Sequence, residues 1–182
     1  MNRRQFNRAL LTGVAAAAVG GAVWVHLPAS DQELSLAAIS RELQSLPLAN
    51  LDSNGAWSIS EIFQHLAQSI EYSLSGYPQA KSALFQTVVG TPAFYVFSRK
   101  KAMRHPLDEP IPGAPLLQQQ IAPELALQRL LTTIEQFQQH QGKLAPHFAY
   151  GELSASQYAL AHAMHIRQHL TEFSVNGTPL YG

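Results

Sequence analysis

Residues 154–173 read SASQYALAHAMHIRQHLTEF and lead into SVNGTPL at 174–180. Ser154 followed by Gln157 makes a capping box, in which each side chain satisfies a backbone N–H that the start of a helix leaves unpaired. No glycine or proline interrupts the run, and Asn176-Gly177 with Pro179 supplies the stop. The segment predicts a helix over 154–173. At about 100° per residue, His162, His165 and His169 fall within roughly 60° of one another around its axis. One face of this helix therefore carries three imidazoles.

Working back from that helix, Leu125, Leu127, Leu130, Leu131, Ile134 and Phe137 mark another, ending near Gln141-Gly142, with Pro146 and Gly151 in the connection. Ser58 with Glu61 makes a second capping box, from which Ile59, Ile62, Phe63, Leu66, Ile70 and Leu74 run as an apolar stripe to Ser75-Gly76. This helix carries His65. Leu34, Ile39, Leu43 and Leu46, ahead of Pro47, predict a first helix from about Asp31 to Leu46. Gly90-Thr91-Pro92 divides 79–103 into two shorter helices, whose Phe85, Phe94, Tyr95 and Phe97 are expected to fill core. Pro106, Pro110, Pro112 and Pro115 turn the stretch between His105 and Pro123 into a long loop. No period-two alternation is visible, so no strand is expected. The fold class reads as all-α: four helices with a long Pro-rich crossover connection and short extra helices.

The chain has 182 residues and 46% hydrophobic content, enough for one core and too little for two full-sized domains. Its formal charge is zero, but Arg3, Arg4 and Arg8 lie in the first eight residues, so the remainder is mildly acidic. The concentrated positive patch is Arg99, Lys100, Lys101 and Arg104, which reads as a solvated face, and a nucleic-acid partner is not expected. Residues 1–30 resemble a twin-arginine signal peptide: Arg3-Arg4-Gln5-Phe6 precedes an uncharged, alanine- and glycine-rich stretch from Ala9 to Val25. That predicts an exported, periplasmic body over 31–182. No clean A-x-A cleavage site follows, so the segment is also compatible with an uncleaved N-terminal anchor, the one membrane contact expected.

Cysteine is absent, which removes thiolate nucleophiles, Cys-ligated zinc or iron–sulfur sites and covalent haem attachment. Any metal must be held by His, Asp or Glu. Of the eight histidines, His147, His162, His165 and His169 fall in the last 36 residues. His165 and His169 stand one helical turn apart, and so nearly do His162 and His165; either pair can chelate one ion at about 2.0–2.1 Å. The bland reading is that such histidines are surface residues or hydrogen-bonded core. A zinc protease of the H-E-x-x-H type is excluded, since Ile166 stands where the general-base Glu belongs. A di-iron bundle needs Glu-x-x-His, and Glu61 to His65 is one residue too long.

The stretch IFQHLAQS at 62–69, with His65, and the pair His165/His169 on the last helix resemble the DinB/YfiT-like metalloenzymes. Gly76-Tyr77-Pro78, Pro110-Ile111-Pro112-Gly113-Ala114-Pro115 and His147-Phe148-Ala149-Tyr150-Gly151 extend the likeness to an uncharacterised, often exported branch, over roughly 34–174. The resemblance implies an antiparallel four-helix bundle and a histidine triad of metal ligands, His65, His165 and His169, so it selects the i, i+4 pair. The implied cofactor is a divalent zinc, nickel or iron ion with an open coordination position. The implied activity is hydrolase-like or a group or thiol transfer. His147, His162 and Glu61 are the candidate catalytic residues, with Glu172 a further proton shuttle. Glu61 equally serves its capping box, His162 has an ordinary core role open to it, Trp57 reads as core and His105 as a surface residue. The expected partner is a small-molecule substrate of unknown identity, and a homodimer is compatible with the chain. The competing readings are a non-catalytic exported metal-binding or interaction protein, and a bundle that holds haem through paired histidines.

Overall fold

The computed structural model describes residues 34–181. The twin-arginine expectation for residues 1–30 lies outside them. Among the described residues no helix is long and apolar enough to cross a membrane.

Among the described residues five helices of nine residues or more are present: α1 (Leu36–Gln44), α2 (Ile59–Ser75), α3 (Thr91–Lys100), α4 (Pro123–Gln139) and α5 (Ala155–Leu170). Both capping boxes form. Ser58 Oγ accepts from the Glu61 N–H while the Glu61 carboxylate accepts from the Ser58 N–H, and Ser154 and Gln157 repeat the exchange at α5. Each such cap stabilises a helix start by about 1 kcal/mol. The expected break at Gly90-Thr91-Pro92 is instead continuous helix: Ala83–Phe85 passes through one π turn, Gln86–Gly90, into α3. Pro92, which has no N–H, comes directly after that π turn, in which Thr91 N–H reaches back to Gln86 O.

The expectation of an all-α four-helix bundle is overturned. Beside the fifth helix stands a three-stranded antiparallel sheet, β1 (Leu51–Ser53), β2 (Phe173–Val175) and β3 (Thr178–Pro179), in the order β1-β2-β3. Strands of two or three residues are too short to display alternation, which is why no period-two pattern announced them. Asn176 and Gly177, read above as a helix stop, form the two-residue hairpin turn joining β2 to β3. Both take positive φ, 51° and 76°, as a type I′ turn requires. The sheet ties the α5 terminus to the segment before α2, with Leu51 paired to Val175 and Asn54 N–H donating to Glu172 O at 2.8 Å.

The main core joins Ile39 and Leu43 of α1, Ile62, Phe63, Leu66 and Ile70 of α2, Leu130 and Ile134 of α4, Tyr158, Ile166 and Leu170 of α5, and Phe173 of β2. A smaller apolar cluster of Phe94, Met103, Ala161 and Met164 occupies another side of α5. With apolar contacts on two sides, α5 has little water-facing surface, and its histidines lie within the protein. On α2 every residue from Ile62 to Ile70 is buried, including Gln64, His65, Gln68 and Ser69. Buried amides must find partners. Gln64 finds them in the crossover, donating to Gln118 O at 2.8 Å and accepting from Gln118 N–H at 3.0 Å. Gln68 donates to Pro115 O at 3.3 Å, and Gln168 of α5 to His105 O at 2.8 Å. The Pro-rich crossover is thus held against α2 and α5.

Candidate metal centre

His65 projects from α2 and His165 and His169 from successive turns of α5, and their rings meet. The three ring centroids are 5.0 Å apart in each pairing, and each residue offers a nitrogen within 4.8 Å of the others. His65 Nε2 and His165 Nε2 approach to 3.2 Å. His65 and His169 are buried, and His169 is wholly enclosed. His165 is half-buried and, with His65, opens onto a cavity of about 280 Å³. This triad can hold a metal ion.

Burial also sets the protonation state. Desolvation, reinforced by the neighbouring histidines, lowers the pKa of His65 to about 3 and of His169 to about 2, and drives that of His165 well below its ordinary value. All three are therefore neutral near pH 7, the form that binds metal. Their hydrogen bonding is incomplete. His65 Nδ1 and both ring nitrogens of His169 are buried without a partner. Each such group costs about 1–3 kcal/mol unless something satisfies it, and a cation held by one nitrogen from each ring is a fitting occupant.

The surroundings are built for such a centre. Trp57, just before α2, lies 4.8 Å from the His65 ring and stacks nearly parallel to His169 at 6.1 Å. Glu172 Oε2 stands 3.7 Å from His169 Nδ1, too far for a hydrogen bond but the carboxylate nearest that ring nitrogen among the described ion pairs. Gly55 leaves room for it: a Cβ there would collide with the Glu172 carboxylate. Burial and nearby Asp108 push the Glu172 carboxyl up. His105, expected at the surface, is drawn inward, its ring 4.9 Å from His165 and 5.4 Å from His169. Sequence reasoning missed it because it lies in a loop, where no periodicity shows direction; its one signal was its place at the head of the proline run.

The remaining candidates separate. Glu61 is occupied at the start of α2, where its Oε2 also accepts from the Ser58 hydroxyl at 2.8 Å. His162 and His147 are both buried and line the same cavity as His65 and His165. His162 stacks on Tyr158, and its Nε2 lies 3.2 Å from Ser73 Oγ, whose own hydroxyl donates to Ile70 O. Nε2 is thus the donor. His147 stacks between Phe148 and Tyr150, and its Nδ1 accepts from the Ala149 and Tyr150 N–H groups, which puts the ring proton on Nε2. Desolvation lowers both pKa values to about 3. The cavity wall between these histidines and the triad is largely apolar, with Phe85, Met103, Ile111 and Ala161; Lys81 and Glu109 supply its charges.

The sequence comparison adds a family. A profile described as "Protein of unknown function (DUF1569)" matches residues 30–176. The chain belongs to the DUF1569 family. No curated protein and no solved structure matches it. The match takes in every histidine named above, so the triad and the cavity both lie within the DUF1569 domain.

Proposed function

We propose that the DUF1569 domain is a metal-dependent enzyme, hydrolytic or group-transferring, that works on a small molecule held in the cavity beside the triad. The observation that carries this reading is the convergence of neutral, incompletely hydrogen-bonded imidazoles from α2 and α5 at the wall of a cavity large enough for a small organic molecule. His65, His165 and His169 would hold a zinc, nickel or ferrous ion, which when bound supplies Lewis acidity. The chain's own residues do the rest. Glu172 stands near the His169 ring, Trp57 covers the triad on one side, and the apolar wall limits water. His147 and His162, with their hydrogen bonds fixed, present polar ring edges toward the far part of the cavity, where they orient substrate or hand on a proton. The resemblance to DinB/YfiT-like metalloenzymes supports the same chemistry, and the Arg3-Arg4 opening supports a periplasmic setting.

Metal analysis of protein purified without a histidine tag tests the centre. One equivalent is expected, lost in His65→Ala and His165→Ala and kept in His140→Ala, whose parent side chain is exposed. Wild-type protein that folds yet takes up no zinc, nickel or iron overturns the reading. Turnover in a screen of small esters, amides and thiols, abolished by His169→Ala without loss of helicity, then separates an enzyme from a metal-binding protein without activity.

A further inference from the structure

Among the described histidines, His105 has a setting that the triad leaves unexplained. It sits in the crossover, on neither ligand-bearing helix, yet its ring lies as close to His165, at 4.9 Å, as the triad rings lie to one another, and 5.4 Å from His169. Its two nitrogens are in different situations. Nδ1 is 2.6 Å from Pro106 O, an acceptor only, so Nδ1 carries the proton and Nε2 the lone pair. Nε2 is buried and has no partner. A carbonyl at one nitrogen and a bare lone pair at the other is the arrangement that metal-ligating histidines display. The residue is also held from its backbone side. Gln168, the neighbour of His169 on α5, donates to His105 O at 2.8 Å. One side chain of α5 thus fixes the loop residue beside the imidazoles of the same helix.

Among the described residues the nitrogens that all lie within 4.8 Å of one another are those of His65, His165 and His169, so His105 stands just outside that set. We infer that His105 is a fourth nitrogen donor to the metal centre, brought in from the Pro-rich crossover when the ion binds. This rests on the triad reading and changes its chemistry. Three donors ride on packed helices, whereas the fourth rides on a loop and forms part of the cavity wall. Bound there, His105 would take the position the triad leaves open, and a small donor molecule entering the cavity would have to displace it.

Cobalt(II) titration followed by visible absorption tests this with the full chain, together with His105→Ala and His105→Gln. The wild type is expected to bind one cobalt with a four-coordinate spectrum. His105→Ala should bind at least tenfold more weakly with an altered spectrum, and added imidazole should restore the wild-type bands by filling the vacated position. His105→Gln, which keeps bulk at that position, should match His105→Ala in affinity. If both variants bind cobalt with wild-type affinity and spectrum while His165→Ala does not bind, the inference fails and the triad stands. If the wild type binds no cobalt, both fail.

Discussion

His147 and His162 serve as acid-sensitive supports whatever else they do. Folding holds both neutral, with pKa values lowered from 6.5 to about 3. An unfolded chain takes up protons on these rings as pH falls below about 6.5, and the folded one does so only near 3. Their contribution to stability is therefore complete above about pH 6.5 and is lost progressively as pH falls, by up to about 1.4 kcal/mol per pH unit for each ring. Urea midpoints measured on apoprotein between pH 7 and 4 should fall accordingly. His147→Phe should be less stable throughout yet show a shallower pH slope; a slope equal to that of the wild type would rule out burial of His147 as a cause. At this scale the sequence was informative where residues lay on helices. The spacing of His162, His165 and His169 put all three on one face of α5, but it could not say which pair converges, because that depends on where α2 brings His65. His105 was illegible for a different reason: a loop has no fixed period, and only the closed chain reveals which way its side chains turn.

At the scale of elements, the buried polar face of α2 explains how a loop rich in proline keeps one conformation. Gln64 acts as a surrogate peptide group, giving and receiving one hydrogen bond with Gln118. Replacing it with leucine leaves the Gln118 N–H and C=O without partners and should cost about 1–3 kcal/mol. Hydrogen exchange at Gln118 should accelerate while exchange along α4 stays slow; unchanged protection at Gln118 would show that the amide is not what holds the loop. Helices were the legible elements because apolar stripes and capping boxes are local and repeat over several turns, as at Ser58 and Ser154. The sheet was not, because β1 finds its partner more than a hundred residues away, and such pairing leaves no local trace. The hairpin was in plain sight as Asn176-Gly177. The same dipeptide that stops a helix also turns a strand, and the helix just before it favoured the wrong alternative.

For the whole molecule, the triad joins two helices that are far apart in sequence, so filling it should stabilise the fold as a unit. A ligand that binds only the folded state, at about a hundredfold excess over its Kd, adds about 2.7 kcal/mol. For a domain of this size that is a rise of roughly 5–10 °C in Tm. Zinc should produce it in the wild type and not in His165→Ala, as read by differential scanning calorimetry; an equal rise in both would place the zinc elsewhere.

The three glutamines that hold the crossover bond to its main chain. Gln64 holds Gln118 through its N–H and C=O, Gln68 holds the carbonyl of Pro115, and Gln168 that of His105. None of these bonds reads a side chain. Met103 and Ile111 of the same segment are buried and add packing to that hold, whereas Glu109, which also lines the cavity, is exposed and can be exchanged without loosening the attachment. Fold and specificity are separable at that one position: a change of charge at Glu109 alters what the cavity attracts while the imidazoles and the glutamines that secure the loop stay as they are.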